Sequence, residues 1–205
     1  MKIKLGLRSV RVPDGFEKLG SDKDDKKKDD GVYIFKQTES ALCMVRLTQL
    51  KEKEAMPFKQ AKVIIDGIHE ALGEKQGLIA VRPIVNKSGD GYAYSIVKSA
   101  LEEHGMQYIL TMHSKIKDKY FHLQGWFEES GTTGMRDAII YAMAEKEGKV
   151  GRNFEGWFKD PYDPEYKHGL PMNLSEREEY DKMFPNHPLS ECRRFVAEVI
   201  ESNIK

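Results

Sequence analysis

The segment MQYILTMHSKIKDKYFHLQGWFEE, Met106 to Glu129, most constrains what this chain can fold into, because apolar and polar residues alternate on both sides of a charged break. Period-two alternation belongs to a strand with unlike faces, and two such runs around a short polar turn make a hairpin. With Asp118 and Lys119 as the turn, residue 117 meets 120 and residue 113 meets 124. One face then carries Tyr108, Leu110, Met112 and Ile116 with Phe121, Leu123 and Phe127. The other carries Thr111, His113, Lys115, Lys117, His122, Gln124 and Glu128, a separation that supports the register. Tyr120 and Trp126 fall on the polar side, so that side is expected to be partly covered rather than wholly wet.

The rest of the chain supplies partners for this hairpin. RSVRVPDGF gives a short strand stopped by Pro13 and a turn at Asp14 and Gly15. GVYIFKQTESALCMVRLTQL reads as a hairpin joined near Glu39 and Ser40. After Pro57, residues Ala61, Ile64, Ile65, Ile68, Ala71 and Leu72 recur at helical spacing, with Gly73 as C-cap. GLIAVRPIV and GYAYSIVKSAL pair around the glycine-containing turn NKSGDG. Residues 134 to 146 read as a helix with Thr133 as N-cap and Ala138, Ile139, Ala142 and Met143 as its apolar face.

Beyond Gly148 the style changes. GKVGRNFEGWFKDPYDPEYKHGLPMN is rich in glycine, proline and aromatics without a period, and reads as a strap over the body. It leads into SEREEYDKMF, where Ser175 and Glu178 form a capping box. HPLSECRRFVAEVIESNIK follows, a helix with Ser190 as N-cap and Cys192, Phe195, Val196, Val199 and Ile200 as its stripe. Residues 175 to 205 fall below the ~40 that can usually bury a core alone, so they must dock on the main body or on another subunit. The expected architecture is α+β: an antiparallel sheet of about six strands with helices on both faces. Residues 1–148 form the domain, and 149–205 form a strap and two-helix extension docked on it.

Charge and cysteine content exclude several classes. Lys plus Arg equals Asp plus Glu at 33 each, so no basic excess favours nucleic acid or an anionic membrane. The N-terminus lacks the apolar core of a secretory signal, and no window reaches the ~18 apolar residues of a membrane span. The expectation is a cytoplasmic protein. Cys43 and Cys192 lie in a strand pattern and on an apolar helix face, and read as buried reduced thiols, with a pairing between them left open. SDKDDKKKDD, residues 21–30, reads as a solvated loop. Counted from Asp22 as a calcium loop, it puts Lys26 and Lys27 where an acidic ligand and a glycine belong.

Candidate sites are few. The corner SGTTGMR runs from a strand into a helix start, where free amides, a helix dipole and Arg136 would favour an anion. It lacks a Walker lysine and the G-x-G-x-x-G turn, and Asp137 already complements the dipole, so the corner is read as structural. His113 and His122 lie diagonally on one sheet face, but no third ligand is spaced for zinc. His69-Glu70 does not extend to HExxH, no G-x-S-x-G elbow is present, and neither cysteine sits in an exposed loop. No catalytic residue, metal or cofactor is therefore assigned. The binding candidates are His113, His122, Trp126 and Arg136, with Trp157 in the aromatic strap and His187 and Arg193 at the last helix.

The turn VPDGF after a short opening strand, followed by a hairpin, a long helix, a four-strand meander and a helix entered through GTTGMRDAI, resembles the PsbP-like fold over residues 8–146. That fold is shared by the photosystem extrinsic protein and the Ran-nucleotide release factor. The resemblance implies an antiparallel sheet with helices on both sides, and a role as an accessory or binding protein rather than an enzyme. The leading expectation is thus a non-catalytic protein that meets an unknown protein partner through the sheet face or the strap. The alternative is a small enzyme or anion-binding protein with a pocket built from His113, His122, Trp126 and Arg136. Homodimerisation through the C-terminal helices is compatible with either.

Overall fold

A computed structural model of the chain describes residues 1–5, 8–19, 31–85, 91–116 and 118–203. The charged loop at 21–30 and the turn residues 86–90 lie outside the described residues. Strands β1 (Lys2–Leu5) and β2 (Arg8–Arg11) form a separate two-stranded sheet. The main sheet holds β3 (Glu17–Lys18), β4 (Val32–Gln37), β5 (Ala41–Leu50), β6 (Gln76–Val85), β7 (Gly91–Ala100), β8 (Met106–Ile116) and β9 (Lys119–Glu129). These seven strands, against the six expected, run antiparallel in the order β3-β4-β5-β9-β8-β7-β6. The helices are α1 (Ala61–Ala71), α2 (Met135–Lys146) and α3 (Pro188–Asn203).

The alternation of 106–129 becomes the centre of the sheet. Tyr108, Leu110, Met112, Phe121, Leu123 and Phe127 are all buried on one face, each worth about 1.5–3 kcal/mol of burial. The register differs from the expected one: Ile116 pairs with Lys119 and His113 with His122, two residues tighter. Because side chains alternate with period two, a shift of two keeps every residue on its expected face. What changes is the neighbour, and the two histidines stand directly opposite each other.

The buried face packs on α3 and on the β1-β2 hairpin; Val10, Ile34, Val45, Leu110, Phe127 and Phe195 belong to one cluster. Gly125 lies in this layer because a Cβ there would come within 2.7 Å of the Phe127 ring and 3.2 Å of Leu110. On the opposite face α1 covers only the outer strands, where Ile64 and Leu72 pack with Leu78, Val81 and Ala93. Helices therefore lie on both sides. The α1 helix ends on extended Leu72, one residue before the expected glycine cap.

Three expectations in the second half are corrected. First, α2 is capped by Gly134 in the left-handed region (φ 72°), not by Thr133, and it buries Arg136, Ile140 and Ala144. The expected apolar face, Ala138, Ile139, Ala142 and Met143, points to solvent. Second, SEREEYDKMF forms two 3-10 turns, Leu174–Glu176 and Glu178–Tyr180, and the capping box joins Asn173 to Glu176. The reason is local: Arg136 takes the carbonyls of Ser175 and Arg177, and Arg193 takes that of Glu176. Three successive carbonyls that an α-helix would need are thus claimed by guanidinium groups. Third, α3 starts at Pro188, whose missing N–H costs nothing in a first turn. His187 does the capping: its ring accepts the Leu189 amide and its carbonyl that of Glu191.

Candidate functional site

Two regions collect the residues that the sequence singles out, and they lie on different parts of the molecule. The first is the face of the sheet that α1 leaves open. Register places Phe35, Met44, Trp126 and Ile109 in one row across β4, β5, β9 and β8, all half-buried. The next row is Tyr33, Arg46, Gln124 and Thr111, and the one after it holds Thr48, His122 and His113. Arg46 lies over the Tyr33 ring at 5.8 Å, and Thr111 donates to the Gln124 side chain. An apolar strip four strands wide, bordered by arginine and hydroxyl groups, has the composition of a protein interface core, where aromatics, Met and Arg are enriched.

The histidines close one end of this surface. Their ring centroids are 4.8 Å apart with planes at 78°. Nδ1 of His113 accepts the Met56 amide at 2.7 Å, so that nitrogen is unprotonated and tethers the segment leading into α1. Glu52 in the same segment accepts from the Tyr120 hydroxyl, and Phe58 stacks on Tyr120. Burial, reinforced by the neighbouring His122, holds the His113 pKa down at about 4. Burial likewise lowers that of His122; a hydrogen bond with Gln124 opposes the shift and Arg46 adds to it. Among the described residues, His122 Nε2 has no hydrogen-bond partner, and no group of three or more His, Cys, Asp or Glu side chains is arranged to hold a metal.

The second region is where the extension meets the body, and Arg136 is its hub. Its guanidinium is 1% exposed and donates to Ser175 O at 2.8 Å, Ser190 Oγ at 2.9 Å, Arg177 O at 3.1 Å and Asp181 Oδ1 at 3.0 Å. Arg193 binds the same Asp181 carboxylate. Beside them Glu176 receives Lys98 Nζ at 2.8 Å, the Tyr108 hydroxyl at 3.2 Å and the Asn173 amide at 2.7 Å, all buried. Each of these charges has an opposite partner, as burial requires, while Arg193 Nε and Asn173 Oδ1 are buried in the same layer without a hydrogen bond.

The strand-to-helix corner is capped from within. Glu129 accepts the amides of Gly134 at 3.0 Å and Met106 at 2.9 Å, and stands 3.4 Å from His187 Nε2. Burial pushes the Glu129 carboxyl up, but the hydrogen bonds from His187 and the two amides outweigh it and lower the pKa. A cavity of about 390 Å³ lies beside this corner, bordered by Ser40, Thr132, Met135 and Phe184. A carboxylate already occupies the helix end that an anion would seek.

Of the sequence-predicted residues, His113, His122 and Trp126 share the open sheet face, while Arg136 of the body meets Arg193 of the extension at their junction and His187 lies beside it at the start of α3. Trp157 is 4% exposed, packed edge-on against Tyr141 and clustered with Ile140 and Leu174. Sequence reading missed Phe35, Tyr33, Met44 and Arg46 as surface partners of Trp126. The alternation in GVYIFKQTESALCMVRLTQL carried that signal, but only the strand order says which face of β5 adjoins Trp126. Cys43 and Cys192 are free and buried in the same cluster, and burial raises both thiols, Cys43 to about 12. Among the described residues no helix is long and apolar enough to cross a membrane. No protein-family model matches the chain, and no curated protein does.

Proposed function

We propose that this is a non-catalytic binding protein of the cytoplasm whose partner protein docks on the open face of β4, β5, β9 and β8. The observation that carries the reading is the row Phe35–Met44–Trp126–Ile109, half-buried at the centre of the main sheet and outside the reach of α1. Trp, Tyr and Arg are the residues through which interfaces concentrate their energy, and Trp126 lies one row from Arg46 and Tyr33 on this face. The resemblance of residues 8–146 to the PsbP-like fold, whose members act mostly as accessory or binding proteins, fits the same reading. Against a shared enzymatic pocket stands Arg136, whose donors are spent inside the docked extension, apart from the two histidines and Trp126.

The test pairs affinity capture from the native host with hydrogen exchange on the captured complex. Wild-type protein should retain a partner that slows amide exchange in β5 and β9. Trp126→Glu and Met44→Asp should each lose that partner while keeping the wild-type circular dichroism spectrum. Ile139→Glu, on the exposed side of α2, should keep it. Retention of the partner by a folded Trp126→Glu protein would refute the proposal.

A further inference from the structure

On the buried side of the sheet α3 packs chiefly over β9, β8, β5 and β2, and less over the outer strands β6 and β7. Between the helix and those two outer strands runs a groove of about 630 Å³, within the range of sites for drug-sized ligands. Its floor is Tyr92 stacked with Tyr94 (centroids 6.3 Å, planes 19° apart) and Ile84, an edge-strand isoleucine 48% exposed. Its wall is the outer flank of α3: Val196, Ala197 and Ile200.

The two ends of the groove differ. Tyr92 and Ile84 are paired on neighbouring strands, and so are Tyr94 and Arg82 one step further along, so the apolar end passes into a charged one where Arg82, Lys182 and Arg193 stand with Glu178, Asp181 and Glu201. Arg82 Nη1 is fixed by the Tyr162 hydroxyl at 3.1 Å and Val81 O at 3.3 Å. Nη2 stands 3.9 Å from Glu178, too far for a hydrogen bond. Among the described residues, Arg82 Nε and Nη2, the Lys182 ammonium and the Tyr94 hydroxyl make no hydrogen bond, Nη2 keeping only the long ion pair with Glu178, while Arg193 is turned to Asp181 and the Glu176 carbonyl. Burial pushes the Tyr94 phenol up to about 12, so it stays a neutral donor close to Arg82.

We infer that this groove binds a small amphipathic carboxylate, its aliphatic or aromatic tail along Tyr92, Ile84 and Ile200 and its carboxylate on the Arg82 fork and the Tyr94 hydroxyl. A guanidinium held by one nitrogen presents its remaining pair of N–H groups in the geometry that a carboxylate matches with two parallel bonds. A neutral or cationic head of the same length leaves those donors unmet.

NMR titration of the full chain with decanoate, decanol and decylamine, below their aggregation limits, tests this. Decanoate should shift the Ile84, Tyr92, Tyr94 and Ile200 amides saturably, and decylamine should not. Arg82→Gln should weaken decanoate about tenfold, the order expected for a charge-assisted bond, and leave decanol unchanged. Ala197→Phe, which fills the groove from an exposed position, should weaken both. Equal affinity of wild type for decanol and decanoate would overturn the inference. So would a decanoate response that survives both substitutions, or one that stays linear to millimolar ligand. The sheet-face partner test does not involve these residues, so either proposal can fail alone.

Discussion

Glu176 is the residue on which docking of the extension turns, and removing its carboxylate gives a quantitative test. Lys98 and Glu176 are 0% and 1% exposed and 2.8 Å apart, and the same carboxylate accepts from Tyr108 and caps its own turn through the Asn173 amide. Glu176→Ala strands the Lys98 ammonium in the core and leaves the Tyr108 hydroxyl unpaired, at a cost of about 3–5 kcal/mol. For a chain of this length that lowers Tm by roughly 10 °C. Lys98→Met with Glu176→Leu removes both charges and fills their volume, so the double variant should lose only about 2 kcal/mol, mainly the cap and the Tyr108 bond. Urea unfolding followed by circular dichroism at pH 7 measures Lys98→Met, Glu176→Leu and the double variant, with the coupling energy as the readout. If the double variant is as unstable as the sum of the singles, the pair is not one buried unit and this account of the docked layer is wrong.

Four further outcomes follow from other contacts. His113 has its pKa lowered from 6.5 to about 4, so its contribution is complete above pH 6.5 and is lost as pH falls toward 4. Because the ring is only half-buried, the loss should be about 2 kcal/mol rather than the full linkage value, it should free the Met56 amide to exchange, and it should shrink in His113→Gln. Gly77→Ala places a Cβ 1.7 Å from the Leu170 carbonyl oxygen, so the strap must move; the expected cost is roughly 2 kcal/mol or more, with faster proteolysis at 161–170. Gly67→Ala, in α1 with nothing within 4 Å, should instead stabilise by about 0.5–1 kcal/mol in the same melt. Trp157→Ala should cost about 3–5 kcal/mol by emptying the pocket against Ile140 and Leu174, a folding defect visible by calorimetry.

The sheet was legible because its signal is local: alternation over 106–129 assigns each residue a face, and even a register misjudged by two leaves those faces intact. Helix α2 was not legible, because it carries apolar residues on two flanks. Met135, Ile139 and Met143 compete with Ile140, Tyr141 and Ala144, and the choice is made by Arg136, which must reach carbonyls some forty positions downstream. No window of sequence contains that requirement. The same holds for SEREEYDKMF, whose helical pattern is real but whose carbonyls are bound by arginines from elsewhere. At the candidate surface, Trp126 and the histidines were visible from alternation. Phe35, Met44 and Arg46 became their neighbours only once β5 was paired with β9.

The edges of the sheet bear on how a partner can approach. An exposed edge strand offers unpaired backbone groups to any extended segment, and β6, ten residues long, is the longer of the two edges. The strap closes it: the Tyr162 hydroxyl bonds both the N–H and the carbonyl of Val81, the Leu170 amide takes the Gln76 carbonyl, and Pro83 has no N–H to offer. The other edge, β3, is only two residues long. Strand addition is thereby disfavoured on both sides, so a partner that docks as proposed would be read by side chains of the face between them rather than by backbone. Tyr162→Phe provides the converse test, since it frees the Val81 amide and carbonyl without disturbing the ring packing. Gain of concentration-dependent association in that variant, with the Trp126 surface intact, would establish that the strap guards the edge. An unchanged oligomeric state would mean that Pro83 and Leu170 suffice.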